Sequence, residues 1–138
     1  MRARYEDDVF AWSQQTAEAI AQGRLENLDL AHLADEISDV GKSEQRALAS
    51  QIERVLVHLL KIRFQSDRHS GSWDLSIAEA RERIRQTLRR NPSLCAAVPE
   101  IIAEAYGIAR IRAARQTGLA LDSFPAGCPF PQDAILQG

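Results

Sequence analysis

Between residues 48 and 62 the apolar positions Leu48, Ile52, Val55, Leu59 and Ile62 recur at steps of four, three, four and three. That spacing keeps one side of a helix turned towards its neighbours and is the spacing of a bundle seam. Leu56 and Leu60 widen the seam, and Val57 and Phe64 lie further round. The pattern predicts a central helix over roughly 43–65 whose second half needs cover on more than one side. Burying these seam residues is worth on the order of 10–20 kcal/mol before conformational entropy is subtracted.

Turn signals at Gly23, Gly41, Ser70-Gly71, Asn91-Pro92 and Gly118 cut the rest of the chain into helix-sized pieces. No stretch alternates apolar and polar residues as a strand does. A first helix is expected from Tyr5 or Asp7 to a left-handed cap at Gly23, with Val9, Trp12 or Ser13, Ala17 and Ile20 inward. Asp29 reads as the N-cap of a short helix that Gly41 ends. In it Leu30, Leu33, Ile37 and Val40 make a narrow apolar stripe laid on the bundle. A fourth helix over about 72–90, with Ser72 as its cap, turns Trp73, Ile77, Ala80, Ile84 and Leu88 inward and pairs Glu79 with Arg83. Asn91 caps the segment that follows. Pro99 splits that segment into a short helix to Ala97 and a longer one from Val98 to about Thr117. Ile101, Ile102, Ala105, Ile108 and Ala109 are its expected inner face.

Beyond Gly118 three prolines forbid a helix until a last turn at Gln132 to Leu136, yet Leu119, Leu121, Phe124 and Phe130 are too apolar for a free tail. The expected fold is therefore all-α. It is one single-domain helical bundle of about five helices, mostly up-down, with its core over about 5–118. An extended Pro-rich C-terminal strap covers 119–138.

Composition changes this picture little. The 138 residues are 45% apolar and 26% charged, ordinary for one globular domain. A net charge of −2 with both signs interspersed gives no whole-molecule attraction for nucleic acid or an anionic membrane. Cys95 and Cys128 stand far apart and outside any Cys-x-x-Cys spacing, so two reduced thiols are expected. The N-terminus turns acidic at Glu6-Asp7-Asp8, unlike a signal peptide, and the apolar stretch from Val55 to Ile62 is too short to span a bilayer. A cytoplasmic location is the expectation.

Several short motifs then fall in a recognisable order. Tyr5-Glu6-Asp7-Asp8 with Trp12 is followed by LAHLADEISDVGKSE from Leu30 to Glu44 and by His58-Leu59-Leu60-Lys61. Ser72-Trp73, Asn91-Pro92-Ser93-Leu94, Thr117-Gly118-Leu119, Phe124-Pro125 and Cys128-Pro129-Phe130 complete the set. In this order the chain resembles, over nearly its whole length, the bacterial all-α family known as domain of unknown function 29. Family members often carry Glu where this chain has Asp35 and Ser38, a departure confined to an acidic helix face. The resemblance implies a helical fold and a bacterial source. It implies no activity, cofactor or catalytic residue.

Three constellations bear chemistry. Gln51, Arg54, His58, Lys61 and Gln65 form one polar stripe on the central helix. Within it His58 can serve as a base or ligand beside Lys61, against the plainer reading of a solvated or paired face. Glu36 is the expected partner of His58 or Lys61 across a helix interface, giving a polar cluster of Glu36, His58 and Lys61. His32 and Glu36, one turn apart, can chelate a divalent metal with His58 or His69 as third ligand. No Glu-x-x-His or His-Glu-x-x-His motif supports that metal set. Arg81, Arg85 and Arg89 line one face and can grip phosphates, but Glu79 and Glu82 interrupt them and no aromatic residue interleaves.

The reading favoured by the residues is a non-catalytic protein-interaction or regulatory module with no cofactor and no catalytic or metal site. It binds a protein partner or a second copy of itself. The alternatives are a metal-dependent enzyme on His32, Glu36 and His58, and nucleic-acid binding through Arg81, Arg85 and Arg89. The geometric ground is the wide apolar arc of the central helix: if four neighbouring helices cannot cover Val57, Leu60 and Phe64, a partner must do so. The sequence points to no membrane and disfavours nucleic acid. It leaves a small-molecule ligand open.

Overall fold

The computed structural model describes residues 2–138 and contains, among them, five α-helices and no strand. The helices are α1 (Val9–Ala21), α2 (Leu30–Phe64), α3 (Gly71–Arg90), α4 (Val98–Thr117) and α5 (Gln132–Leu136). Short 3₁₀ turns stand at Ser66–Arg68, Pro92–Ala97 and Leu121–Ser123. None of these helices is long and apolar enough to cross a membrane. The chain is all-α, as its periodicity predicts. It gathers into two compact units, one running to Lys42 and the other Ser43–Gly138.

The helix expected to end at Gly41 and the one expected to start at Ser43 are a single α2 of 35 residues. Gly41 lies in its interior, and glycines with positive φ are found at 23, 118 and 138. A helix-interior glycine costs about 1 kcal/mol relative to alanine, too little to break a helix that both flanking sequences propagate. A Cβ added at Gly41 meets nothing within 4 Å. Gly41→Ala is therefore expected to stabilise the protein by about 0.5–1 kcal/mol in urea denaturation. Gly118→Ala should destabilise it by about 1 kcal/mol or more, because that residue caps α4 at φ 75°. A loss of stability in Gly41→Ala would mean that a left-handed cap interrupts α2.

In the first unit, the Asp8 carboxylate accepts the Ala11 amide at 2.9 Å and fixes the start of α1. At its end Arg24 N–H donates to the Ala19 carbonyl at 2.8 Å and Gly23 N–H to that of Ile20 at 3.0 Å. With Gly23 at φ 74° this is a Schellman cap, where the glycine signal places it. The inner face of α1 is Trp12 and Ala19 with half-buried Thr16 between them. Val9, Ala17 and Ile20, expected inside, point outward. Trp12 has far the largest surface to hide, and the helix is rotated to suit it. Asp29 caps α2 through the His32 amide at 3.2 Å, as expected. Of the stripe that follows, Leu33 is half-buried, but Leu30, Ile37 and Val40 are 68%, 65% and 62% exposed.

In the second unit, α3 runs antiparallel to α2. Glu44 meets Asn91, Arg54 meets Glu79 and Lys61 lies over Trp73. α4 runs parallel to α2, with Glu53 beside Arg112 and Gln65 beside Thr117. The core holds Leu48, Ile52, Val55, Leu56 and Leu60 of α2 with Ile77, Ala80 and Ile84 of α3. From α4 come Val98, Ile101, Ile102, Ala105, Tyr106, Ala109 and Ala113. Ile108, expected inside, is exposed, and Tyr106 takes a buried place with its hydroxyl donating to the Pro125 carbonyl at 2.6 Å.

The chain beyond Gly118 does strap this unit. Phe124 and Ile135 are fully buried and Phe130 is half-buried. Val57 and Leu60 are buried too, while Phe64 packs edge-to-face against Phe124 at 5.3 Å. The chain covers its own central helix, so the uncovered arc expected at Val57, Leu60 and Phe64 does not exist. Three local expectations also change. α3 begins after Ser70 rather than Ser72, Glu79 pairs with Arg54 rather than Arg83, and the Asn91 side chain donates to the Thr87 carbonyl and to Glu44 instead of capping the following turn.

Candidate functional site

The polar residues of the first unit converge on Tyr5. Its ring stacks on the His32 imidazole at 3.9 Å and 16° and meets the edge of Trp12 at 5.0 Å and 90°. Its hydroxyl donates to Glu36 Oε1 at 2.6 Å. His32 Nδ1 lies 2.6 Å from Asp29 Oδ2, and Nε2 lies 3.8 Å from Glu6. The Glu36 hydrogen bond, with burial and the nearby charges of Asp39 and Asp35, raises the Tyr5 phenol above its usual pKa. The hydroxyl is thus a donor held by a carboxylate, the opposite of an activated nucleophile. Beside it a cavity of about 300 Å³ is lined by Arg2, Arg4, Tyr5, Glu6, Trp12 and Asp29, among others. Arg2 donates to the carbonyl of Asn27, a residue at φ 63°, and the Ala3 amide donates to Gln15. Together these contacts clasp the segment before α1 onto the start of α2.

Asp29 raises the pKa of His32 through their hydrogen bond, against a smaller opposing effect of burial, and His32 in turn lowers that of Asp29. Because the folded pKa of His32 lies above its unfolded value, protonation favours the folded clasp. That contribution is fully present below about pH 6.5 and is lost as pH rises through the raised folded value. The Asp29 contribution runs the other way. It is present above about pH 3.9 and lost as pH falls through the lowered folded value. In an NMR titration His32 is expected to titrate above the usual imidazole range, and Asp29→Asn should return it to that range or below. An unchanged titration in Asp29→Asn would remove Asp29 as the cause.

In the second unit the polar stripe finds partners on α3 and α4. Arg54 pairs with Glu79 at 3.3 Å, Lys61 donates to Gln116 at 3.1 Å and lies 4.5 Å over the Trp73 ring, and Gln65 donates to the Thr117 carbonyl at 3.3 Å. His58 Nδ1 donates to the Arg54 carbonyl at 2.8 Å. A carbonyl partner requires the proton on Nδ1 and leaves Nε2 bare in the neutral ring. Burial, with the positive charges of Lys61 and Arg54, lowers the His58 pKa, so the ring is neutral at pH 7. Burial also lowers that of Lys61. His58 borders a cavity of about 300 Å³ with Gln51, Glu53, Arg54, Val57, Arg112 and Gln116. Of the oxygens there, Gln51 Oε1 is buried without a hydrogen-bond partner, and Glu53 Oε1, equally enclosed, lies 3.0 Å from Arg112 Nε as an ion pair.

The structure therefore separates the expected cluster. Glu36 serves Tyr5 in the first unit, whereas His58 and Lys61 find their partners in the second. His32 and Glu36 both contact Tyr5, His58 bonds the Arg54 carbonyl, and His69 faces Asp74 at 2.7 Å and stacks on Trp73. Among the described residues no three His, Cys, Asp or Glu side chains gather as metal ligands. The arginine line is also divided. Arg81 donates to the Ala134 and Ile135 carbonyls at 2.6 and 3.2 Å, while Arg85 and Arg89 share Glu82.

Several large apolar side chains also remain exposed. Among the described residues the large exposed hydrophobic side chains are Val9, Phe10, Ile20, Leu25, Leu30, Ile37 and Val40 in the first unit. Leu75, Ile108, Ile111 and Leu121 are those of the second. On α1 Val9, Phe10, Ser13, Ala17 and Ile20 share about 100° of arc. Of these, Phe10 and Ala17 lie opposite Trp12 and Ala19, Val9 and Ile20 lie to the side, and Phe10 is 75% exposed. Sequence reading passed over Phe10 because it assigned this arc to the core. The signal lay in the composition of α1, whose thirteen residues carry the single charge of Glu18.

The family model described as Domain of unknown function DUF29 matches residues 4–138. No curated protein and no solved structure matches the chain. With nearly its whole length matched, and with the motifs from Tyr5 to Phe130 in order, the chain belongs to the DUF29 family.

Proposed function

We propose that this chain is a protein-binding module that acts by docking, with residues 1–42 as its docking surface. The observation that supports this reading is α1, a helix with one charged side chain that leaves Val9, Phe10 and Ile20 exposed. An exposed apolar patch of this kind commonly marks a binding site. The polar groups beside it are engaged with one another in the Tyr5 clasp, which holds the surface in shape.

The reading is tested with a photoreactive residue placed at Phe10, or at Arg83 on the exposed side of α3 as a control, in the host cell. A discrete adduct is expected at position 10 and not at 83. The protein in it should then bind the purified chain in calorimetry and lose that binding with Phe10→Asp. Equal labelling at the two positions, or binding indifferent to Phe10→Asp, refutes a docking role for this surface.

A further inference from the structure

We infer that α1 receives a basic amphipathic helix of a partner protein. This rests on residues 1–42 being the docking surface and adds the chemistry of what docks there.

Charge decides the partner. Residues 1–42 hold nine Asp and Glu against four Lys and Arg, a net −5, whereas residues 43–138 hold ten against thirteen, a net +3. The near-neutral chain thus conceals an acidic docking unit. Among the described residues no ion pair engages Asp7, Glu18, Glu26, Asp35 or Asp39, so their field is not cancelled by a salt bridge. An apolar arc within such a field fits a helix with apolar residues at steps of three and four and Lys or Arg on its flanks.

Two other occupants fit less well. A second copy placed α1 against α1 would oppose −5 with −5. In the second unit of a copy, Arg54, Arg85, Arg89, Arg90 and Arg112 are already paired with carboxylates and Arg81 and Arg110 with carbonyls, so fewer cations are open to α1 than the unit's thirteen. A lipid surface is disfavoured because helices that lie on membranes carry Lys and Arg on their polar face, and α1 has neither.

The probe is an 18-residue Leu/Lys helix with Leu at steps of three and four, labelled for fluorescence anisotropy, against the full chain. A Leu/Glu helix of the same pattern is the control. Binding is expected for the Lys helix alone, weaker by about tenfold between 50 mM and 500 mM salt. Phe10→Asp should weaken it by about tenfold or more, and Glu18→Lys should weaken it at low salt with little effect at high salt. Phe10 is exposed, so an unchanged circular dichroism spectrum is expected and shows that the fold is kept. Failure of the Lys helix to bind, or equal binding by the Glu helix or by Phe10→Asp, overturns the inference. So does Phe10-dependent sedimentation with phosphatidylcholine–phosphatidylglycerol vesicles, which assigns the face to lipid. A dimer in light scattering that Phe10→Asp abolishes overturns it in favour of a second copy. If the photoadduct at Phe10 forms while the Lys helix fails, docking stands and the basic partner falls. If neither appears, both fall.

Discussion

Phe124→Ala is expected to cost about 3–5 kcal/mol, the range for deleting a large aromatic side chain from a close-packed core. Phe124 is 1% exposed although it lies in the segment after α4 that looks least structured in the sequence. Its ring meets Phe64 of α2 edge-on, its carbonyl accepts two hydrogen bonds from Arg110 at 3.2 and 3.0 Å, and the next carbonyl accepts from Tyr106. The backbone bonds survive the substitution, so the loss measures the ring alone. Urea denaturation with an unchanged slope checks it. Leu121→Ala, removing a largely exposed side chain two residues into the same strap, should fall within about 1 kcal/mol. Equal costs for the two would show that the strap is not part of the core.

The fold was legible wherever burial alone decides it. The seam from Leu48 to Ile62, the inward face of α3, the left-handed caps at Gly23 and Gly118, and the last turn at Gln132 to Leu136 follow from local spacing and local backbone demands. Gly41 misled because a glycine ends a helix only when the chain also turns there. Its roughly 1 kcal/mol penalty could not by itself interrupt 35 residues of helix. The apolar stripes of α1 and early α2 misled for a different reason. Periodicity shows that a helix has an apolar face, but it does not say whether the same chain supplies the cover. Leu30, Ile37 and Val40 continue the step pattern towards Leu48, yet they remain exposed where Leu48 is buried.

The polar chemistry was less legible. His58 and Lys61 do form a paired stripe, but their partners come from Gln116 of α4, Trp73 of α3 and a carbonyl within α2. Nothing in the spacing of α2 names those positions. Glu36 could not be matched to Tyr5 from sequence, since the segment before α1 has no periodic structure from which to count. Each of these groups has its partners within its own unit: Glu36 bonds Tyr5 and His32 bonds Asp29 in the first, and His58 bonds the Arg54 carbonyl in the second.

The other large effect is expected at Trp12. Among the described residues of the first unit, Trp12 and Ala19 are the buried hydrophobic side chains, and Trp12 is by far the larger. A unit of this size rests on little core, since small chains bury a smaller share of their surface. Trp12→Ala removes about 3–5 kcal/mol, together with the edge that Tyr5 packs against at 5.0 Å. That loss exceeds what so small a unit can hold in reserve, so α1 should open while the second unit stays folded. Hydrogen exchange is expected to show lost protection across Val9–Ala21 and retained protection at Leu48, Ile52, Val55 and Leu56, whose core residues all come from the second unit. Binding of the Lys helix should vanish with α1. If Trp12→Ala lowers protection equally in both units, the chain unfolds as one cooperative body. If α1 keeps its protection, something other than the tryptophan holds it in place, and the docking surface is sturdier than its single large anchor implies.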